Sequence, residues 1–264
     1  ATDRKALLVE VKDNPKLSPE LREGYLVRLT QLRTNSGECG DIQKELESLP
    51  VEAVPPVRAK LQYAHGVCRH KAREWAAART ALLDVRDLPE YHAGVYSLRR
   101  DSHHELQDWK GLAEEVAHAH ETHPDILESG DYALWVEARR QVQDGSGADQ
   151  AYAAWRTRFP EEFQAVDRLL GWVAVREQLP ETEPRIALYR ELLALDLDAE
   201  TRTYVHGRWI ETAHELPVKE RVAHFRELLP LDLNAETRAY VHSRWIETAD
   251  GLASPEERIG HYRE

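Results

Sequence analysis

The sequence contains no methionine, only three phenylalanines and only two cysteines. A hydrophobic interior must therefore be built from Leu, Val, Ala, Tyr and Trp, and the cysteines allow at most one disulfide. There is no run of about 18 apolar residues, so no direct membrane insertion by this segment is expected, and no signal peptide is recognisable. No strand-length alternation of Val, Ile and Thr occurs either, which leaves an all-α chain as the expected class.

Basic residues are also in short supply. The chain has 35 Lys and Arg against 47 Asp and Glu, which gives a net charge of −12. Nucleic-acid-binding domains carry a basic face, so nucleic acid is not an expected partner. The negative charge suits a basic protein or a cationic polymer, although an acidic surface that keeps the protein soluble is the simpler interpretation.

Known catalytic motifs are missing as well. The sequence has no Gly-x-Ser-x-Gly elbow, no glycine loop ending in Lys-Ser or Lys-Thr, and no His-Glu-x-x-His. Adjacent acids such as Glu114 and Glu115 fit the exposed side of an amphipathic helix. We therefore predict no catalytic residues and no cofactor.

The densest histidine group comprises His118, His120 and His123, with His103 and His104 upstream. His120 and His123 are three residues apart and could share one face of a helix, as zinc ligands do. The simpler interpretation is a solvated last helical turn, where histidine complements the negative end of the helix dipole. No metal site is predicted.

What the sequence does contain is an internal repeat. Arg185–Leu197 reads RIALYRELLALDL and Arg221–Leu233 reads RVAHFRELLPLDL; closely matching segments follow both, and a third copy begins at Arg258 and stops at Glu264. The spacing between Trp209 and Trp245 is 36 residues. Self-similarity at this period is typical of a solenoid of stacked helix pairs, whose stability is a sum over neighbouring repeats.

Each copy carries two helical patterns. Val222, Phe225 and Leu228 recur on one helical face, and Asn234 then provides an N-cap for a second helix, as Asp198 does in the first copy. Pro217 and Pro255 fall where one helix ends and the next begins. His206 and His242 recur with the repeat, which favours a role in packing or in hydrogen bonds between helices.

A resemblance to the tetratricopeptide (TPR) repeats rests on the second helices. Two sets of residues have the spacing of that family. Trp109, Leu112, Val116, Ala119 and Pro124 match all of its positions. Trp75, Ala78, Leu82 and Val85 match it as well, with Pro89 one residue short of the final position. Trp75 and Trp109 are 34 residues apart, which is the family period. Gly40-Asp41-Ile42 is similar to the family's Gly-Asp-Tyr turn, and Trp209, Phe225 and Trp245 hold structural positions in the later copies.

This resemblance implies a right-handed α-α superhelix of antiparallel helix pairs. We expect residues 1–264 to form one continuous solenoid, with the Gly145 loop and the Pro180 linker as the places where a boundary could fall. The later copies depart from the family, because Arg185 and Arg221 replace a small residue and His206 replaces a glycine. A looser helix-hairpin solenoid is therefore the alternative.

The resemblance implies that the first helix of each pair lines a partner-binding groove. In the family's phase, the helices that begin at Ala199 and Ala235 are these first helices, although each comes second within its copy. Their groove positions fall on Glu200, Thr203, Gly207, Ile210 and Glu211, and on Glu236, Ala239, Ser243, Ile246 and Glu247. This surface is acidic with apolar patches. It lacks the Lys, Arg and Asn that the TPR domains binding chaperone carboxylates place there.

Three functions are compatible with these features. The first is a non-catalytic scaffold that binds another protein or a peptide along its concave face. The second is a periplasmic segment of an exopolysaccharide-export or envelope-assembly protein, and the third is the superhelical arm of a lytic transglycosylase-like enzyme. The ends at Ala1 and Glu264 lead us to expect a fragment of a longer protein, and the cell envelope is favoured over the cytoplasm.

The two cysteines leave an alternative open. Cys39 lies in a predicted turn and Cys68 lies in a predicted helix, so in a stacked solenoid they could be neighbours. A disulfide between them would join the first repeat to the second. Free thiols, buried or exposed, are the other possibility.

Overall fold

A computed structural model describes residues 2–12, 14, 16–49, 55–231 and 233–251. All regular structure in these ranges is helical. The α-helices are α1 Thr2–Lys12, α2 Pro19–Ser36, α3 Cys39–Ser48, α4 Pro55–Lys71, α5 Trp75–Leu82, α6 His92–Glu105, α7 Trp109–Thr122, α8 Ser129–Gln141, α9 Gly145–Arg158, α10 Pro160–Phe163, α11 Val166–Arg176, α12 Thr182–Leu193, α13 Ala199–Ala213, α14 Val218–Leu228 and α15 Ala235–Asp250. The expected all-α class is confirmed.

The chain forms two compact units, unit 1 from Ala1 to Gln143 and unit 2 from Asp144 to Glu264. One continuous solenoid over the whole length stays a prediction. No helix in the described ranges is both long enough and apolar enough to cross a membrane. Pro255 and the third copy, Arg258–Glu264, lie outside the described residues.

Within each unit, helices that follow one another in the chain pack together. In unit 1 α4 packs on α5, α5 on α6, and α7 on α8, while the first helices of successive pairs, α2, α4 and α6, also contact one another. In unit 2 α12 packs on α13 and α14 on α15. Contacts between first helices are what a stack of hairpins produces, because each pair buries its apolar stripe on the next.

Local capping explains several helix starts. Ser18 accepts a hydrogen bond from the backbone N–H of Leu21, Asp198 from that of Thr201 at 2.7 Å, and Asn234 from that of Thr237 at 2.8 Å. These side chains satisfy backbone donors that a helix leaves unpaired at its first turn. The predicted caps at Asp198 and Asn234 are confirmed, and Ser18, which precedes Pro19, caps α2 in the same way.

Three predicted boundaries were wrong. Residues 144–147 are not a flexible link: Asp144 accepts a hydrogen bond from the Gly147 backbone N–H at 2.9 Å, so α9 begins at Gly145. The sequence pattern predicts one helix over 161–177, but the structure divides it into α10 and α11. The segment from residue 35 to 40 is predicted as a loop, but only two residues separate α2 from α3, because Gly37, at φ 76°, ends α2 in the left-handed conformation that glycine adopts at little cost.

The family positions form the core. Ala78, Leu82, Leu112, Val116, Trp209 and Phe225 are at most 1% exposed, whereas Trp75, Trp109 and Trp245 are half-buried. Tyr25, which its spacing predicts to face inward, is 37% exposed instead.

The exposed-acid interpretation of Glu115 was wrong. Its side chain is 2% exposed, and its Oε2 accepts hydrogen bonds from Arg99 Nε at 3.0 Å and Arg99 Nη2 at 2.8 Å. Because α6 supplies this guanidinium, which is itself buried, the carboxylate is paired inside unit 1. Its neighbour Glu114 is exposed, as predicted.

Cys39 and Cys68 form a disulfide that joins the start of α3 to α4. Their Cα atoms are 5.6 Å apart. Both side chains are buried and cluster with Ile42. The second helix of one pair is thereby joined covalently to the first helix of the next.

Candidate binding surfaces

The predicted groove residues of α13 are divided between surface and core. Glu200, Thr203 and Glu211 are exposed, but Ile210 is 4% exposed and belongs to the core of unit 2. Ile210 is therefore not available to a partner. Glu211 forms an ion pair with Arg208, three residues earlier on the same helix.

The corresponding residues of α15 lie on an open concavity. Ser243 and Ile246 line it together with Leu229, Leu233 and other residues of α15, and its volume is about 1060 Å³. The carboxylate of Glu247 accepts hydrogen bonds from Arg244 at 2.7 Å and from Ser243 at 3.2 Å. Glu236 is exposed in the first turn of the helix.

This surface is therefore less acidic than its sequence indicates. Glu211 and Glu247 are each offset by an arginine three residues away. Glu200 and Glu236 are the exposed acids of the predicted groove that have no ion-pair partner in the described part of the chain, and they lie exactly one repeat apart in the sequence. Both carboxylates lie in the first turn of their helix, where the positive end of the helix dipole stabilises them.

The histidine group does not converge. His118 Nε2 lies 2.8 Å from Asp87 Oδ1, His120 Nδ1 lies 2.8 Å from the hydroxyl of Tyr132, and His123 stacks on His92 with ring centroids 3.4 Å apart. Burial lowers the pKa of His123, and the nearby His92 lowers it further. No cluster of three potential metal ligands occurs among the residues the structure describes.

Sequence reasoning missed a cavity of about 580 Å³ in unit 1, which we call the α2–α4 cavity. It is lined by two first helices, α2 and α4, and by Tyr91, which precedes α6. Its lining residues are Val27, Thr30, Gln31, Thr34, Asn35, Lys60, Leu61, Tyr63, Ala64, Val67, Lys71 and Tyr91. The signal that could have revealed it is the pair of lysines on α4, since lysine is rare in this chain.

The positions of the tryptophans within the helices identify the type of repeat. Trp75 is the first residue of α5 and Trp109 is the first residue of α7, so the 34-residue spacing corresponds to one complete helix pair. The first helices α2, α4 and α6 contact one another, and α3, α5 and α7 return between them. The chain is a TPR-like helical-repeat protein.

Comparisons with known proteins find only distant likeness. No protein-family model matches the sequence, and no curated protein matches it. Among solved structures, the C-terminal part of a TPR repeat-containing protein from Cytophaga hutchinsonii is 14% identical, with a TM-score of 0.36 over 76% of each chain. A tetratricopeptide repeat protein from Parabacteroides merdae is 10% identical, with a TM-score of 0.39 over 90% of this chain and 88% of that one.

Yeast Tom70 is 15% identical, with a TM-score of 0.35 over 99% of this chain and 57% of its own. These scores are too low for residues of one protein to be assigned to those of another. The TPR-like assignment therefore depends on the helix pairing and the spacing described above.

Proposed function

We propose that this TPR-like chain is a non-catalytic scaffold that binds a partner protein or peptide along its first helices. The observation that supports this most directly is the surface of α13 and α15. Glu200 and Glu236 recur there at the repeat spacing, and the concavity beside Ser243 and Ile246 adds an apolar surface. Because unpaired acids attract cations over distance, the partner carries basic side chains.

Charge reversal tests this surface. Glu200→Lys with Glu236→Lys inverts the unpaired acids, and Glu161→Lys with Glu162→Lys is a matched control at exposed acids of α10. We expect a specific partner captured by the wild-type chain to be lost with the first double variant and kept with the second. Capture should also weaken as salt is raised. Equal capture by both variants would show that these helices do not bind the partner.

We also infer that the chain works in an oxidising compartment, as the cell envelope would provide. The support is the Cys39–Cys68 disulfide, since structural disulfides persist in such compartments and are rare in reducing ones. The roles in polysaccharide export or as an enzyme arm, named above as alternatives, stay predictions.

Thiol labelling tests the compartment. In protein isolated from its native cells and denatured, Cys39 and Cys68 should take up no alkylating reagent until the protein is reduced, and both should be labelled afterwards. Replacing both residues, Cys39→Ala with Cys68→Ala, should lower the free energy of unfolding by about 2–4 kcal/mol, because the unfolded chain loses a cross-link. Labelling without reduction would contradict the proposal.

A further inference from the structure

Histidine is concentrated in one helix pair of unit 1, the α6–α7 pair. Six of the 13 histidines of the chain lie in these two helices or directly after them: His92, His103, His104, His118, His120 and His123. Histidine is the side chain whose charge changes between about pH 5 and pH 8. The charge on this pair therefore depends on pH, unlike that of α2, which contains no histidine.

At the turn between α6 and α7, histidine occupies a position that arginine holds in the preceding pair. There, Arg69 forms an ion pair with Glu74, five residues later. His103 and Asp108 have the same spacing, and His103 Nδ1 lies 3.0 Å from Asp108 Oδ2. In both turns the backbone N–H of the acid donates to the carbonyl of the earlier residue, at 2.9 Å. The two turns are built alike, but the link at α6–α7 titrates near neutral pH.

The surroundings of His103 oppose a second positive charge. The residue is 5% exposed, and Arg79 of α5 places Nη1 3.0 Å from the same Nδ1. Its Nε2 is buried and has no hydrogen-bond partner among the described residues. Burial and then the charge of Arg79 lower the pKa of His103, while Asp108 and Glu115 act in the opposite direction. A proton added to His103 enters a site that already holds a guanidinium.

The other end of the same pair is joined by two stacked histidine rings. His92 is the first residue of α6 and His123 follows the last residue of α7. Their ring centroids are 3.4 Å apart, and His92 Nε2 is buried with no hydrogen-bond partner in the described part of the chain. Two neutral imidazoles pack well at this distance. Two imidazolium rings repel each other, and the added proton on His92 is a buried donor without an acceptor.

The charges around this stack act in both directions. Burial and then His92 lower the pKa of His123, and Asp87 raises it. His118 and Arg86 lower it further. The carboxylate of Asp87 is already engaged, because His118 Nε2 lies 2.8 Å from its Oδ1. A proton on His118 strengthens that bond, so acid disfavours the stack and not the His118–Asp87 contact.

We propose that the α6–α7 pair is a pH-sensitive element, closed near neutral pH and opened below about pH 6 by protonation of His92, His103 and His123. Opening separates α6 from α7 at both ends of the pair. Because the first helices α2, α4 and α6 contact one another, acid interrupts that row at α6. The proposal concerns unit 1 alone and does not depend on the surface of α13 and α15.

The direction and size of the response follow from the preference for neutral rings. For His103 and His123 the folded pKa is the lower one, so their contribution to the stability of the pair is present above the unfolded value of about 6.5 and is lost as the pH falls below it. Between about pH 7.5 and pH 5.5, each histidine that stays neutral only in the closed pair favours opening by up to about tenfold.

Hydrogen–deuterium exchange of the intact chain at these two pH values tests the proposal, with rates divided by those of unstructured reference peptides at the same pH. We expect amide protection in α6 and α7 to fall by at least about tenfold on acidification, and protection in α2 to change by less than about twofold. An equal fall in all three helices would show a general effect of acid and overturn the proposal. Unchanged protection in α6 and α7 would overturn it as well.

A double variant and a matched control assign the response to these histidines. His92→Gln with His103→Arg removes one ring of the stack and gives the turn the arginine that the preceding pair has at Arg69. If circular dichroism at neutral pH shows that this variant is not folded, His103→Gln replaces His103→Arg. The acid response of α6 and α7 should become at least about threefold smaller. His104→Gln, at an exposed histidine of α6, should respond like the wild type. A full response in the double variant, or a lost response in His104→Gln, would contradict the proposal.

Titration of the histidine Cε1–H resonances by NMR measures the coupling within the stack. In the His92→Gln variant the pKa of His123 should rise, because a neighbouring ring that becomes charged has been removed. His104→Gln should leave the pKa of His123 unchanged. A His123 that titrates identically in the wild type and in His92→Gln would show that the two rings do not interact, and would contradict the proposal.

Discussion

Two stretches of this chain with nearly the same sequence have different surroundings. In the first copy, Trp209 of α13 is 1% exposed, with the guanidinium of Arg190 5.4 Å from its ring centre on one side and His224 of α14 at 6.3 Å on another. In the second copy, Trp245 of α15 is half-buried and packs on Val222. Identical tryptophans therefore contribute differently to the core.

The neighbouring positions show the same contrast. His206 and Ile210 are 3% and 4% exposed, whereas His242 is exposed and Ile246 is half-buried. Helix α13 is followed by α14, which packs on it, while α15 is the last described helix. Burial in a repeat protein is thus set by the adjacent helices as much as by the repeat's own residues.

Truncating the two tryptophans gives the largest expected difference. Trp209→Ala should lower the free energy of unfolding by about 3–5 kcal/mol, because it removes a fully buried ring and leaves a cavity. Trp245→Ala should cost about 2 kcal/mol, since part of that ring already contacts water. Urea denaturation of both variants measures the difference, and equal costs would show that the two environments are the same.

Whether a feature could be predicted from the sequence depends on whether its deciding contact is local in the chain or lies between two helices. The caps at Asp198 and Asn234 were predictable because each cap and the backbone N–H that donates to it are three residues apart. The burial of Glu115 was not, because it depends on Arg99, on another helix. A rule based on amphipathic spacing assigns such an acid to the surface.

The candidate sites divide in the same way, into features set by the local sequence and features set by contacts between helices. The exposure of Glu200 and Glu236 agrees with their helical spacing. The α2–α4 cavity was not predicted, because Asn35 and Lys60 become neighbours of one space only when two helices pack. The two lysines of α4 are a signal in the sequence, but no local pattern records that α2 and α4 pack side by side.

A sequence difference between the copies gives the next prediction. The buried Arg185 donates to Glu215, with Nη1 at 3.3 Å from Oε1, whereas Gly251 occupies the position of Glu215 in the second copy. Arg221, which corresponds to Arg185, donates to the backbone carbonyl of Leu216 at 2.9 Å. Among the described residues, the arginine of the first copy thus has a charged partner that the arginine of the second copy lacks.

Substitutions at Glu215 and Gly251 should remove the charged partner from the first copy and give one to the second. Glu215→Gln should destabilise the protein by about 1–2 kcal/mol, a range reduced because the carboxylate is half-exposed. Gly251→Glu should stabilise it by at most about 0.5 kcal/mol, because the carboxylate that it gives Arg221 is opposed by the negative end of the α15 dipole and by a Cβ contact of 3.2 Å with the Thr248 carbonyl oxygen. Both changes should shrink at about 1 M NaCl. Denaturation of the two variants at low and high salt checks this, and an unchanged effect at high salt would exclude an ion pair as the cause.

A tyrosine gives a smaller contrast. In the first copy the hydroxyl of Tyr189 lies 3.3 Å from Thr212 Oγ1 and 3.2 Å from Glu177 Oε1, but Phe225 replaces it in the second. Thr248, the counterpart of Thr212, donates to the carbonyl of Arg244 instead. Tyr189→Phe should cost about 1 kcal/mol, and this cost should be smaller, though not zero, when Thr212→Val is already present, because the bond to Glu177 remains. Full additivity in a double-mutant cycle would show that the two hydroxyls do not interact.

The smallest effect concerns pH. His214, whose counterpart in the second copy is Asp250, has its pKa lowered by burial first and then by the charges of Arg221 and Arg244, while Glu247 acts in the opposite direction. Its ring lies edge-on to Phe225, with centroids 5.2 Å apart. The folded state therefore favours the neutral imidazole more than the unfolded chain does.

The sign of the pH dependence follows from that preference. Because the folded pKa is the lower one, the contribution of His214 to stability is present above the unfolded value of about 6.5 and is lost as the pH falls below it. His214→Gln should therefore lose less stability than the wild type between about pH 7.5 and pH 5.5, while the other histidines titrate equally in both proteins. Urea denaturation at the two pH values measures this. An equally steep loss of stability in the variant would show that the charges on α14 and α15 do not affect the protonation of His214.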